Sequence, residues 1–140
     1  MIHKLLVAYD GSESANAAFE FALDMAGRYQ AHLHVVAVAR PPEFGTEVET
    51  EAVIERARWH YAKVVEPLED RLAALPGHHI EVVIGHPAEA IVLYAEAHSI
   101  DHIVVGHRGH SLFERWLIGS VARQVVAYAP CPVTVIRPRR

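Results

Sequence analysis

Five short apolar runs rich in β-branched residues alternate along this chain with segments that repeat small and apolar residues at helical spacing. The runs are residues 4–9, 32–39, 80–84, 101–105 and 133–136. Runs that are apolar for most of their length are typical of strands covered on both faces. Strands that alternate with helices imply βαβ units, whose crossovers are right-handed. The sequence therefore predicts an α/β fold built on a mainly parallel sheet.

The first two helical patterns differ in character. The first places small and apolar residues along one stripe, formed by Ala15, Ala18, Phe19, Ala22 and Ala26. Alanine is the best helix former, and its small side chain allows a close approach to a sheet. The second pattern begins at about Glu47 and contains Pro67. Because proline removes a backbone donor, we expect this helix to kink or break near residues 63–66.

Two shorter helices complete the pattern. Pro87 suits the first position of the third helix. Its buried stripe is predicted to be Ala88, Ile91, Val92 and Ala95. The fourth helix is expected to start near Gly119 and Ser120 and to stop at Pro130. Its apolar residues are Val121, Val125 and Tyr128.

The composition excludes several classes of protein. The chain has 140 residues, which fits one domain spanning 1–140. It is 51% hydrophobic and 21% charged with a net charge of −4, which argues against disorder and against a nucleic-acid partner. The single cysteine, Cys131, excludes an internal disulfide framework and a four-cysteine zinc site.

The sequence predicts neither a membrane span nor a signal peptide. No apolar run approaches the roughly 18 residues that cross a bilayer. The apolar residues 5–9 are too few for a signal-peptide core. We therefore expect no membrane association and a cytoplasmic location.

The predicted elements suit an open, single-domain, five-stranded sheet of order 3-2-1-4-5 with helices on both faces, a Rossmann-like arrangement. This strand order is an assumption that the sequence allows. In such sheets, ligands bind beyond the carboxyl ends of the strands, at the point where the strand order reverses. The segments that leave the two strands at the reversal are residues 10–12 and 106–109.

One spacing of glycines points to an anion. Gly106 and Gly109 follow a strand, and nine residues separate Gly109 from Gly119 and Ser120 at a helix start. A glycine after a strand permits positive φ and close ligand approach, and successive free amides form an anion-binding nest. The first amides of a helix favour a phosphate, and the Ser120 hydroxyl adds a donor. A strand-ending glycine with a serine cap is the structural alternative, but the combination favours a ligand.

The sequence resembles the universal stress protein family along its whole length. The resemblance rests on residues 7–12, 85–91, 104–108, 118–121 and 129–133. The glycine spacing resembles the signature of the ATP-binding branch of that family. The Walker A and Gly-x-Gly-x-x-Gly patterns are absent from the sequence, so it is neither a P-loop protein nor a dinucleotide-binding one. The resemblance implies a fold similar to the adenine nucleotide alpha hydrolases.

The resemblance also implies roles for individual residues. Asp10 would meet the ribose hydroxyls or a metal near the phosphates, and its structural alternative is an Asx turn or a cap for the first helix. Val38 would offer its backbone to the adenine edge, and its alternative is a core valine. The residues that would wrap the ribose and phosphates are Gly106, Gly109, Gly119, Ser120 and Val121. Arg108 either contacts phosphate through its forked donors or is a solvated loop residue.

Metal binding is expected only through the nucleotide. The eleven histidines are scattered, and no spacing typical of a dedicated metal site occurs. His32 and His34 would share a face of their strand and are interpreted as a surface pair. Mg²⁺ or Mn²⁺ would accompany the phosphates, with Asp10 as a possible contact. Cys131 is expected to be a partly buried, unreactive thiol.

Three functions are compatible with these observations. The first is a binding protein for ATP or another adenine nucleotide that acts as a regulator or sensor in a stress response. The second is a slow ATPase or phosphotransferase, for which no residue stands out as a catalytic base. The third is a dimeric interaction protein that binds no nucleotide. The resemblance also implies a homodimer through the last strand, whose apolar edge residues are Val133, Val135 and Ile136.

Overall fold

A computed structural model describes residues 1–43, 45–107 and 118–139 of the chain. The strands are β1 (Lys4–Ala8), β2 (His32–Ala39), β3 (His78–Ile84), β4 (His102–Gly106) and β5 (Val133–Ile136). The helices are α1 (Glu13–Tyr29), α2 (Glu47–Val65), α3 (Glu69–Leu72), α4 (Pro87–Ala97) and α5 (Ser120–Tyr128), with a 3-10 turn at Glu66–Leu68. The interpretation of residues 1–140 as one domain stays a prediction.

The predicted sheet is confirmed in both order and direction. The strand order is β3-β2-β1-β4-β5, and every described pair is parallel. Leu6 of β1 pairs with His34 of β2 and with Ile103 of β4, so all three side chains lie on the same face. The order reverses between β1 and β4, as the ligand argument requires.

Each face of the sheet is covered by its own helices. On one face, Leu5 and Val7 of β1 are fully buried in a core that includes the stripe of α1 and residues from α2 and α3. On the other face, Leu6 is fully buried in a core shared with α4 and α5. Alternating residues of β1 therefore serve two separate cores, which explains why residues 5–8 of this strand are all apolar.

The first two helices begin and end for local reasons that the sequence contains. The Ser12 hydroxyl accepts the amide of Ala15 at 3.1 Å and caps α1. A capping box between Thr46 and Glu49 starts α2. The predicted break at Pro67 is confirmed, since α2 ends at Val65 and the 3-10 turn follows.

Some predicted boundaries and faces are wrong in detail. β3 begins at His78, two residues earlier than expected, and β4 includes Gly106. Val92 is only half-buried, while Tyr94 is buried in its place because α4 lies on the sheet along another row of residues. Tyr128 is 73% exposed.

The burial pattern predicts an asymmetry between two leucines. Leu33 of β2 is fully buried, whereas Leu93 of α4 is 54% exposed. We expect Leu33→Ala to lower the free energy of unfolding by about 2–5 kcal/mol, because it removes core contacts and leaves a cavity. Leu93→Ala is the matched control and should change it by less than about 0.5 kcal/mol. Urea unfolding of both variants measures the difference, and equal losses would contradict the assignment of the core.

Candidate functional site

A cavity of about 580 Å³ opens at the carboxyl edge of the sheet. It lies where β1 and β4 are neighbours, with crossovers leaving to opposite faces. Six of the predicted site residues line it, namely Asp10, Val38, Gly106, Gly119, Ser120 and Val121. Arg108 and Gly109 lie outside the described residues. Two turns far apart in the chain thus contribute to one cleft.

Asp10 takes part in a turn as well as in the cleft. Its Oδ1 accepts the backbone N–H of Ser12 at 2.9 Å, which is an Asx turn. Gly11, inside that turn, has a φ of 83°, a conformation that glycine adopts without strain. The cap of α1 is Ser12, not Asp10. The carboxylate of Asp10 is exposed and lines the cavity, so its structural role and a ligand role are compatible.

The start of α5 is a part of the cleft that favours binding of an anion. Ser120 is the first helical residue, and Gly119 is the N-cap, with no side-chain cap hydrogen bond among the described residues. The structural alternative in which Ser120 caps the helix is therefore wrong. The first turn of α5 carries no acidic residue. Since no side chain of the described residues caps its first amides, the positive end of the helix dipole is open to the cavity.

Glycine is needed at position 106 for a different reason from the one expected. Positive φ among the described glycines occurs at Gly11 and Gly45, so the expectation of positive φ is wrong for Gly106. A Cβ built on Gly106 would clash with the Ser14 hydroxyl and lie 2.8 Å from the Ser14 backbone carbon and oxygen. Glycine is required here because the end of β4 packs directly on the start of α1.

Sequence reasoning missed several residues that line the cavity. They are Ser14, Arg40, Ala57, Tyr61, Pro87 and Ile91 among others. Arg40 directly follows β2 and was detectable by its place at the carboxyl end of a strand. Ala57 and Tyr61 belong to α2, and only the packing of that helix beside the sheet brings them to the cleft.

Metal and thiol chemistry have little support in the described part of the chain. Across residues 1–43, 45–107 and 118–139, no group of three or more His, Cys, Asp or Glu side chains could hold a metal ion. Burial, and then the charge of Asp101, raise the pKa of the Cys131 thiol above its ordinary value. A reactive cysteine needs the opposite shift.

None of the helices found in 1–43, 45–107 and 118–139 combines the length and the hydropathy that spanning a bilayer demands.

The fold and the cleft together define a class of protein, the doubly wound α/β domains that take a ligand at the switch point of a parallel sheet. Residues 1–137 match the sequence profile of the universal stress protein family. A universal stress protein from Thermus aquaticus is 36% identical over 138 residues, which cover 98% of this chain and all of that one. The chain belongs to the universal stress protein family.

Solved structures agree with this assignment. Universal stress protein UspA from Lactobacillus plantarum is 33% identical, with a TM-score of 0.84, covering 96% of this chain and 97% of that chain. A universal stress protein solved in complex with cAMP has a TM-score of 0.74 at 22% identity, covering 98% of each chain. The likeness to the second structure concerns the fold alone.

The contact between Gly106 and Ser14 yields a test of the cleft wall. Gly106→Ala should lower the free energy of unfolding by about 1–3 kcal/mol, because the new methyl group must push α1 away from β4. Gly27→Ala is the control. Gly27 lies in α1, the helix that contains Ser14, and a Cβ at this position would meet nothing within 4 Å. That variant should be stabilised by up to about 1 kcal/mol. Thermal or urea unfolding measures both, and a neutral Gly106→Ala would contradict the described packing.

Proposed function

We propose that this universal stress protein binds an adenine nucleotide, ATP accompanied by Mg²⁺ or Mn²⁺, in the cleft at the carboxyl edge of its sheet. Binding would serve a regulatory or sensing role in a stress response in the cytoplasm. The observation that carries the proposal is the convergence of Asp10, Val38 and the uncapped start of α5 on one cavity. The universal stress protein solved with cAMP supports the choice of an adenine nucleotide.

The phosphates would lie at the start of α5. The helix dipole and its first free amides attract negative charge, and the exposed Ser120 hydroxyl adds one donor. Gly119, whose amide donates to the His107 carbonyl at 2.8 Å, ties this helix start to the end of β4. The cradle is therefore positioned before a ligand arrives. Arg108 and Gly109 are proposed to complete it.

The base would lie at the end of β2. Val38 is half-buried and lines the cavity, and its backbone would meet the adenine edge. β2 and β4 are separated by β1, so their ends lie on the order of 10 Å apart. A ligand that touches both Val38 and Ser120 must be extended, as a nucleotide is and a lone anion is not.

Asp10 would occupy the middle of the ligand. One carboxylate oxygen already holds the Ser12 amide, which fixes the orientation of the group. The carboxylate would then accept hydrogen bonds from ribose hydroxyls or contact a cation held by the phosphates. Hard divalent cations prefer such oxygen ligands, so the donor set fits Mg²⁺ or Mn²⁺.

We also propose that the protein forms a homodimer through β5. Among the described strands, β5 pairs only with β4, and its residues Val133, Val135 and Ile136 are half-buried. An apolar outer strand is a template for pairing, and an isologous contact with a second copy would cover it.

A negative charge added at the start of α5 tests nucleotide binding. We expect wild-type protein to give binding heat with ATP–Mg²⁺ and Ser120→Asp to bind at least about tenfold more weakly, because a carboxylate would repel the phosphates. The variant should fold normally, since an acidic residue in the first turn stabilises a helix by about 0.3–1 kcal/mol. Isothermal titration calorimetry and thermal unfolding measure the two effects.

The control adds the same charge to the same helix outside the cleft. Gln124 is exposed on α5 and does not line the cavity, so Gln124→Glu should bind like the wild type. Absence of binding heat in the wild type at millimolar ATP–Mg²⁺ would overturn the proposed function. Unchanged affinity in Ser120→Asp would contradict the placement of the phosphates at the start of α5.

A further inference from the structure

A cluster of aromatic and titratable side chains occupies the sheet at the end away from the cleft. We define the histidine–tyrosine cluster as His34, His79, Tyr94 and His98. His34 of β2 and His79 of β3 are register partners, so their side chains are neighbours on one face. Tyr94 and His98 reach this face from the carboxyl-terminal half of α4 and its C-cap. The expectation that His34 forms a surface pair with His32 is wrong, because α4 half-buries His34.

His34 is the centre of the cluster. Its ring lies 5.7 Å from that of His79 and 5.6 Å from that of His98, between centroids. The Tyr94 ring stacks on His98 with centroids 3.8 Å apart and an interplanar angle of 17°. The carboxyl-terminal end of α4 therefore contacts the sheet through these rings as well as through buried aliphatic residues such as Ala95.

One hydrogen bond joins α4 to β2 within the cluster. The Tyr94 hydroxyl and His34 Nδ1 are 2.7 Å apart. Burial, and then the charge of Glu81, raise the pKa of Tyr94, so the phenol stays protonated. When the His34 ring is neutral with its proton on Nε2, Nδ1 accepts the proton of the Tyr94 hydroxyl. A second proton on His34 would turn Nδ1 into a donor, so this hydrogen bond would have to reverse and the Tyr94 hydroxyl would need another acceptor.

The surroundings of His34 disfavour a positive charge. The groups facing it are Lys4 from β1, His32 from β2, His79 and Glu81 from β3, and Tyr94 and His98 from α4. The single carboxylate in this set, Glu81, is 3.0 Å from His79 Nε2. Burial is the main cause that lowers the pKa of His34 to about 4. Electrostatic repulsion adds to it, in decreasing order from His79, His98, Lys4 and His32.

The same helix connects the cluster with the cleft. Pro87 and Ile91, in the first half of α4, line the cavity, and Tyr94 follows one turn after Ile91. Movement of the second half of α4 away from the sheet would therefore loosen one wall of the cavity.

We propose that the histidine–tyrosine cluster is an acid-sensitive latch that holds α4 on the sheet and opens when His34 takes up a proton. Protonation turns Nδ1 from an acceptor into a donor, which forces the Tyr94 hydroxyl to reorient, and it places a cation beside Lys4 and the neighbouring imidazoles. The helix end then separates from β2 and β3, and the cavity loses the support of α4. The proposal concerns α4 itself and does not require that the cavity bind nucleotide.

The direction of the pH effect follows from linkage. With α4 released, His34 regains an ordinary pKa near 6.5, whereas with α4 docked its pKa is about 4. The free energy that favours docked α4 is therefore largest above pH 6.5, and it decreases as the pH falls from 6.5 towards 4. Between pH 7.5 and pH 5.5, this shifts the opening equilibrium about tenfold towards the released form.

Amide hydrogen exchange without nucleotide tests the latch. After correction for intrinsic exchange rates, protection of amides 91–97 in α4 should fall about tenfold between pH 7.5 and pH 5.5. His34→Asn keeps an acceptor for Tyr94 and cannot titrate, so its protection should stay within about twofold. His60→Gln removes an exposed histidine on α2 and should behave like the wild type.

Three results of the hydrogen-exchange experiment would overturn the latch. They are constant protection in the wild type, an equal fall in His34→Asn, or loss of the fall in His60→Gln. A titration of the His34 ring by NMR in the wild type needs no variant. A midpoint well below 6.5 supports the latch, and a midpoint at or above 6.5 contradicts it, whatever the folding of His34→Asn.

Discussion

The reversal of strand order between β1 and β4 is the constraint on which the cleft depends. β1 is hydrogen-bonded to β2 on one side and to β4 on the other, and its own connection to β2 carries α1 over one face. The connection into β5 carries α5 over the opposite face. Because the two helices start from adjacent strands and diverge, a gap opens between their first turns. The cavity is the direct result of this topology.

That gap has a built-in electrostatic character. Two helices begin beside it, and the two starts differ in what satisfies their amides. Ser12 caps α1 with its own hydroxyl, whereas α5 begins at Gly119 without a side-chain cap in the described part of the chain. With no side-chain cap from the described residues, the second start leaves more of its amides to a ligand. The glycine at position 119 is therefore informative because it omits the cap that serine supplies at position 12.

The sequence was sufficient for the sheet but not for all of the cleft. Strand positions followed from the apolar runs to within two residues, whereas the strand order was an assumption that the sequence allowed. Ser120 followed from its place at a helix start, and the role of Asp10 was implied by the family resemblance. Tyr61 was missed because the packing of α2 beside the sheet decides which of its side chains reach the edge, whereas Arg40 was detectable from its place after β2. Gly106 was found for the wrong reason, since its need is the contact with Ser14. The environment of His34 depended on the rotation of α4, which the stripe of Ile91 alone did not determine.

The most direct measurement of the central claim is an NMR titration of ¹⁵N-labelled protein with ATP–Mg²⁺. The account predicts that the largest amide shifts fall at Gly119, Ser120 and Val121, with further shifts at Ser12 and Val38. These residues belong to three segments that meet at the cleft. Shifts confined to the amino edge of the sheet, or no shifts at millimolar nucleotide, would contradict it.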